Sequence, residues 1–213
     1  MLIKVCGITE KMNMIRLGAL EPDLMGFIFY RHSARYMREF LKPDDMDQLT
    51  SEIPKTGVFV NSSLDEVRQT ARLYKLNYIQ LHGYEPPEFC KFLMDEGLQV
   101  IKAFGLNKNF DFSLLKDYID YTRYFLFDTS SEKFGGSGEK FNWDILRNYD
   151  LGQPFILSGG IGPDDAQSLF SFEHAAFAGI DLNSRFEDYP GIKNIEKLKH
   201  FMEIIRNHQW KNE

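Results

Sequence analysis

Two residues in this sequence sit where a proton could be moved. Cys6 ends the apolar run 2–6 (LIKVC), and Asp128 ends the run 123–128 (RYFLFD). Each also has an ordinary reading. Free cysteine is among the residue types most often buried as a small hydrophobe, and an aspartate after an apolar run can cap the next segment. Cys6, however, stands next to Gly7 and ahead of a helix expected to begin near Thr9. Exposed amides there are expected to lower the pKa of its thiol. As a catalyst Asp128 would need a raised pKa, which partial burial under a closing loop could supply. The segment 131–138 (SEKFGGSG), with three glycines, reads either as such a lid or as a surface connection.

Further polar residues follow other apolar runs. Ser158-Gly159-Gly160-Ile161-Gly162 precedes a helix signal and reads as a phosphate cradle or as a tight turn. The run 176–180 leads into Asp181, Asn183 and Ser184, which offer more polar contacts. Arg35 reads as a surface arginine or as a guanidinium fork for a substrate carboxylate. His82 reads as a satisfied rim histidine or as a substrate contact. Lys4 alternates with Cys6, so both should face the same side, and a structural ion pair is its expected role. Cys90, inside a helical stretch, is expected to be structural.

The elements that must position these residues are short apolar runs at 2–6, 24–29, 56–60, 78–81, 99–103, 123–128, 154–158 and 176–180. They alternate with amphipathic stretches, as in successive βα units. Helix signals lie between them: a hydroxyl three residues ahead of a carboxylate in Ser62-Ser63-Leu64-Asp65-Glu66, Pro163 after Gly162, and a helical apolar stripe through Ile195, Leu198, Phe201, Met202 and Ile205. Eight units leave a closed (β/α)₈ TIM barrel or an open doubly wound sheet. The barrel is favoured, because Cys6-Gly7-Ile8-Thr9 lacks the glycine fingerprint of the open sheet. In a barrel the residues above converge on the rim at the strands' C-terminal ends.

With 213 residues, 43% of them hydrophobic, the chain fits one domain over 1–213 with a substantial core. Its net charge of −6, with no basic block, argues against nucleic-acid binding. No apolar run is long enough to span a bilayer, and the N-terminus lacks the pattern of a signal peptide. Two cysteines give neither a disulfide framework nor a metal-ligand spacing. A cytoplasmic protein without metal or cofactor is expected.

Several of these segments, taken together and in order, resemble one family. They are Lys4-Val5-Cys6-Gly7-Ile8-Thr9, Ser33-Ala34-Arg35-Tyr36, Gln80-Leu81-His82-Gly83, Asp128-Thr129, Leu157-Ser158-Gly159-Gly160-Ile161 and Gly179-Ile180-Asp181-Leu182-Asn183-Ser184. The family is the phosphoribosylanthranilate isomerases of tryptophan biosynthesis. The resemblance implies an Amadori rearrangement of a small phosphorylated aminosugar, with Cys6 as general base and Asp128 as general acid. It also implies that Arg35 orients the anthranilate carboxylate, and that the phosphate lies by Gly159, Gly160, Asn183 and Ser184. His82 and Asp181 complete the expected substrate contacts. A monomer or homodimer without cofactor is implied. Arg185 departs from the pattern, standing where the family usually has a small residue, and would either obstruct the phosphate loop or add a cation to it. Tyr30-Arg31-His32 departs where proline and lysine are common. The alternatives are a related aminoaldose-phosphate isomerase of histidine biosynthesis, which uses paired aspartates, and a catalytically silent phosphate-binding barrel.

Overall fold

The computed structural model describes residues 1–49, 52–129 and 142–210. The segment 131–138, read from sequence as a lid or a connection, lies outside the described residues. Eight parallel strands close into a barrel in chain order: β1 (Leu2–Cys6), β2 (Leu24–Ile28), β3 (Lys55–Phe59), β4 (Tyr78–Leu81), β5 (Gln99–Leu106), β6 (Tyr124–Thr129), β7 (Phe155–Leu157) and β8 (Phe177–Leu182). Closure comes from β1 pairing with β8, Leu2 opposite Gly179 and Lys4 opposite Asp181. A β-carbon on Gly179 would run into the Leu2 carbonyl, so glycine permits this seam. The open doubly wound sheet is excluded.

The outer layer is more varied than eight α-helices. Helices α1 (Lys11–Gly18), α2 (Leu64–Leu73), α3 (Pro87–Asp95), α4 (Ala166–Phe170) and α5 (Ile195–Asn207) follow β1, β3, β4, β7 and β8. After β2, β5 and β6 the described connections are 3₁₀ segments, at Met37–Glu39 and Pro43–Gln48, Phe112–Tyr121, and Trp143–Asn148. Over two or three turns, apolar spacing does not separate i→i+3 from i→i+4 bonding, so the sequence reads both as helical. A small antiparallel ribbon, β9 (Glu187–Tyr189) and β10 (Ile192–Lys193), is inserted before α5.

The helix signals act as their chemistry requires. The Ser63 hydroxyl accepts the Glu66 amide at 3.2 Å and starts α2. Asn194 accepts the Lys197 amide at 2.9 Å and starts α5, whose Leu198, Phe201, Met202 and Ile205 are buried against the barrel. The main core lies between strands and outer layer. There Phe127 packs between Tyr149 and Phe155, with ring centroids 5.3 and 5.1 Å away. A second, smaller core of Leu24, Ile101, Ala103, Leu126 and Ile156 is formed by the opposite faces of the strands and plugs the barrel interior. That plug is the floor of the site.

Candidate active site

Alternation along the strands decides what stands above the apolar plug. Two residues beyond Leu126 on β6 comes Asp128, two beyond Ile156 comes Ser158, and Lys4 and Cys6 share the inner face of β1. Cys6, Asp128 and Ser158, together with the loops, line a cavity at this end of the barrel. Cys6 and Asp128 both line it, and so do Arg35 and His82. Gly159 and Gly160 from the loop after β7 border it, as do Asp181, Asn183 and Ser184 from the end of β8 and beyond.

Cys6 is only 3% exposed. The neighbouring strand makes room for it with Gly26, where a β-carbon would lie 2.6 Å from the sulfur. The expectation of a lowered thiol pKa is corrected here: burial pushes the Cys6 thiol up, and Asp181 adds to this, while Lys4 and Lys193 pull the other way. The amides expected to depress it are engaged. Gly7 and Ile8 donate to the Gly26 carbonyl at 2.9 and 3.3 Å, and Thr9 donates to Gly191 at 3.2 Å. Helix α1 begins at Lys11, and its first amides, of Met12 and Asn13, are taken by the Glu10 carboxylate. The charges that act on the thiol are side chains. Lys4, fully buried, bonds Asp181 at 2.8 Å, and the Ser158 hydroxyl reaches the other Asp181 oxygen at 3.4 Å.

His82 faces Asp128, with its Nε2 3.6 Å from Oδ2. Burial, with Lys102 and Lys4 assisting, pulls its pKa down to about 4, so the ring is neutral at pH 7. The Gln80 amide nitrogen lies 3.0 Å from Nδ1 and can only donate, which leaves the ring proton on Nε2, the nitrogen facing Asp128. The loop carrying His82 is tied down by Glu85, which accepts the amides of Asn61 at 2.8 Å and Gly83 at 3.0 Å. Lys102 closes this knot by bonding Glu85 at 3.1 Å and the Gly83 carbonyl at 2.7 Å.

Arg35 reaches the cavity but is not a free fork. Its Nε and Nη2 are held by both oxygens of Glu187, at 2.9 Å and 2.6 Å for the shortest bonds. Glu187 also accepts from Lys193 at 2.7 Å, and Lys193 donates to Asn183 at 2.7 Å. Gly7 is the hinge of this arrangement. Its φ is +80°, and a β-carbon there would lie 2.6 Å from Arg35 Cδ and 2.8 Å from Asn183 Oδ1. Burial pulls the Lys193 ammonium down to about 8, against the pull of Glu187. For Glu187, burial works upward, but Arg35 and Lys193 outweigh it and hold the carboxyl below its ordinary 4.5.

A prediction follows from that carboxylate. Glu187→Gln leaves Arg35 and Lys193 in mutual repulsion, and loss of one partner from a buried ion network costs about 3–5 kcal/mol. Because the folded pKa is depressed, the carboxylate's contribution is full above about pH 4.5 and fades as pH falls through the folded value. The Tm gap between wild type and Glu187→Gln, followed by circular dichroism, should therefore be wide at pH 7 and shrink below pH 4. A gap that persists into acid would mean the network is held by something other than this charge.

The loop after β7 turns through Gly159 and Gly160 with φ of +86° and +69°, conformations that suit glycine. Neither amide donates to another backbone group among the described residues, so both remain donors for an anion. Pro163 stands at the first turn as expected, within a 3₁₀ segment (Pro163–Asp165) that leads into α4. The Gly162 amide is capped by Asp165 at 2.7 Å. Arg185 neither fills this cradle nor lines the cavity. It is exposed and lies along Gly162, its Nε 3.6 Å from where a β-carbon would be.

Sequence reasoning missed Gln80, Glu85 and Lys102. The signal for Lys102 was present, a lysine in the middle of an apolar strand, but its partner is 17 residues away in a loop.

The chain matches one known family over nearly its whole length. The family described as N-(5'-phosphoribosyl)anthranilate (PRA) isomerase matches residues 3–204. The N-(5'-phosphoribosyl)anthranilate isomerase of Parabacteroides distasonis is 45% identical, covering 96% of this chain and 93% of its own. That of Phocaeicola vulgatus is 41% identical over 97% of this chain and 98% of its own. Among solved structures, the phosphoribosyl anthranilate isomerase of Thermus thermophilus superposes with a TM-score of 0.81 at 27% identity, covering 97% of this chain and 98% of its own. A phosphoribosyl anthranilate isomerase in complex with reduced 1-(o-carboxyphenylamino)-1-deoxyribulose 5-phosphate does so with 0.77 at 28%, over 97% and 99%. A barrel whose rim gathers a buried thiol, an aspartate, an arginine and a glycine cradle, matched over nearly its whole length, belongs to the N-(5'-phosphoribosyl)anthranilate isomerase family.

Proposed function

We propose that this protein converts N-(5'-phosphoribosyl)anthranilate into 1-(2-carboxyphenylamino)-1-deoxyribulose 5-phosphate, the isomerisation step of tryptophan biosynthesis, with Cys6 as base and Asp128 as acid. The observation that carries the reading is the meeting of Cys6, Asp128 and Arg35 in one cavity beside the Gly159-Gly160 loop. Asp128 gives a proton to the furanose ring oxygen as the C1–O bond breaks, and the nitrogen lone pair forms C=N. The Cys6 thiolate then takes the proton from C2. The C–H electrons form C1=C2, and the C=N pair returns to nitrogen. Protonation at C1 and loss of the C2 hydroxyl proton give the ketone. Ring opening and C2 deprotonation are thus each assisted by a placed acid or base.

The remaining residues hold the substrate. Gly159 and Gly160 amides, with Asn183 and Ser184, take the phosphate, and Arg35 takes the anthranilate carboxylate. Since Glu187 occupies Nε and Nη2, the contact falls to Nη1 and the open side of Nη2. His82, neutral with its proton on Nε2, is placed to donate to Asp128 or to a substrate oxygen beside it. Asp181 keeps Lys4 in place at the cavity floor.

Arg35→Lys keeps a charge for Glu187 but loses the planar donor set. Charge-assisted hydrogen bonds contribute about 1.5–3 kcal/mol, so KM should rise roughly 10- to 150-fold while kcat changes little. A fall confined to kcat would move Arg35 from binding to chemistry. The reading as a whole is tested by initial rates on freshly generated phosphoribosylanthranilate and on the aminoaldose phosphate of histidine biosynthesis. Turnover of the first with a ketose product by NMR supports it. Turnover of the second alone would reassign the substrate, and turnover of neither by folded protein would leave a phosphate-binding barrel.

A further inference from the structure

We infer that Lys4, anchored by Asp181, is the counter-cation that offsets the cost of ionising the buried Cys6 thiol, which makes it a positioning residue for the base. This rests on the reading of Cys6 as base. Lys4 and Cys6 are two residues apart on the inner face of β1, and both are buried, at 0% and 3% exposure. The Lys4 ammonium bonds Asp181 at 2.8 Å, and its charge acts on the Cys6 thiol from the same face of the strand. An ammonium has three donors, so holding Asp181 leaves it free to serve the sulfur as well.

Lys193 also draws the thiol toward ionisation, but less effectively, and the remaining charges around it do not. From the β9–β10 ribbon comes Lys193, but Glu187 and Asn183 already hold it at 2.7 Å each. Burial brings its pKa to about 8, so it loses charge where a thiol gains it. Arg35, from the loop after β2, is bound to Glu187. His82 on the β4 side is neutral, Asp128 on β6 is the proton donor of the proposed reaction, and Asp181 on β8 opposes a thiolate. The adjoining strand β2 contributes Gly26 and Ile28, which carry no charge.

Lys4 differs from Lys193 in kind. Burial works against its ammonium, but Asp181 and Cys6 outweigh this and hold its pKa above the ordinary 10.5. It therefore stays charged at pH values where Lys193 has lost its proton. Asp181 has two effects. Its charge disfavours the thiolate, and its bond fixes the ammonium that favours it. When the sulfur accepts the substrate proton, the Lys4–Asp181 pair remains neutral and bonded, so no buried charge is stranded.

The test is the pH dependence of Cys6 alkylation by iodoacetamide in the full-length protein, because the thiolate is the reacting form. It needs no substrate, so it stands or falls separately from the assigned reaction. A Cys6→Ala control subtracts any labelling of Cys90, whose burial pushes it up to about 12. Lys4→Met should move the midpoint up by at least one unit, a tenfold or greater loss of labelling rate at pH 8, and the alkaline shift should reappear in the pH profile of kcat. Lys4→Arg should restore most of the wild-type midpoint. A folded Lys4→Met with the wild-type midpoint would overturn the inference. Should Lys4→Met fail to fold, Lys4→Gln removes the charge but keeps a donor for Asp181 and should likewise raise the midpoint. No shift there would equally overturn it.

Discussion

Replacing Asp128 with asparagine is expected to lower kcat by roughly 10²- to 10⁴-fold, the range for loss of a general acid, while leaving the fold intact. Asparagine keeps the shape and a hydrogen-bonding carbonyl but has no proton to give the ring oxygen. The substitution should be well tolerated by the barrel. The histidine facing Asp128 at 3.6 Å is neutral at pH 7, so no charge pair is broken there. The apolar plug beneath, including Leu126 two residues earlier on the same strand, is untouched. Thermal melts within a few degrees of wild type, with kcat collapsed, are the expected pair of results. An unfolded variant would make Asp128 structural, and a variant with normal kcat would remove it from the chemistry.

Cys6→Ser should lose at least as much, again in kcat rather than KM. The hydroxyl fits the space that Gly26 leaves for the sulfur, so binding and stability should be kept. A serine hydroxyl beside Lys4 is nevertheless far less ionised than a thiol, and the lost interaction is one made in the transition state. Cys6→Ala should add little further loss if deprotonation at sulfur is the whole of its contribution. A large KM effect in the serine variant would instead make Cys6 a contact for the ground state.

The strands were legible because most of their residues are apolar and buried, as in a parallel sheet covered by an outer layer. The expected 78–81 coincides with β4, and the expected 2–6 with β1. Convergence of the polar residues on one rim was legible for the same reason, since a closed barrel leaves strand ends nowhere else to point. What the sequence concealed depends on distant partners. The thiol pKa was expected to fall because local amides were counted as exposed. They are bonded by Gly26 and by Gly191, about 20 and 180 residues away. The grip of Glu187 on Arg35 spans 152 positions, and that of Asp181 on Lys4 spans 177. The 3₁₀ character of Phe112–Tyr121 was hidden for another reason. Its buried Phe112 and Leu115 are spaced by three, which suits either helix type.

The most direct test of the account is one fluorescence experiment. Phosphoribosylanthranilate is generated in the cuvette, and the loss of its fluorescence is followed with wild type, Cys6→Ala and Asp128→Asn at equal concentration, each shown to be folded by its melting curve. The account predicts rapid loss with wild type and rates near background with both variants. Rapid loss with Cys6→Ala would contradict it, because the C2 proton would then leave without the thiol on which the whole arrangement of Lys4, Gly26 and Asp181 is centred.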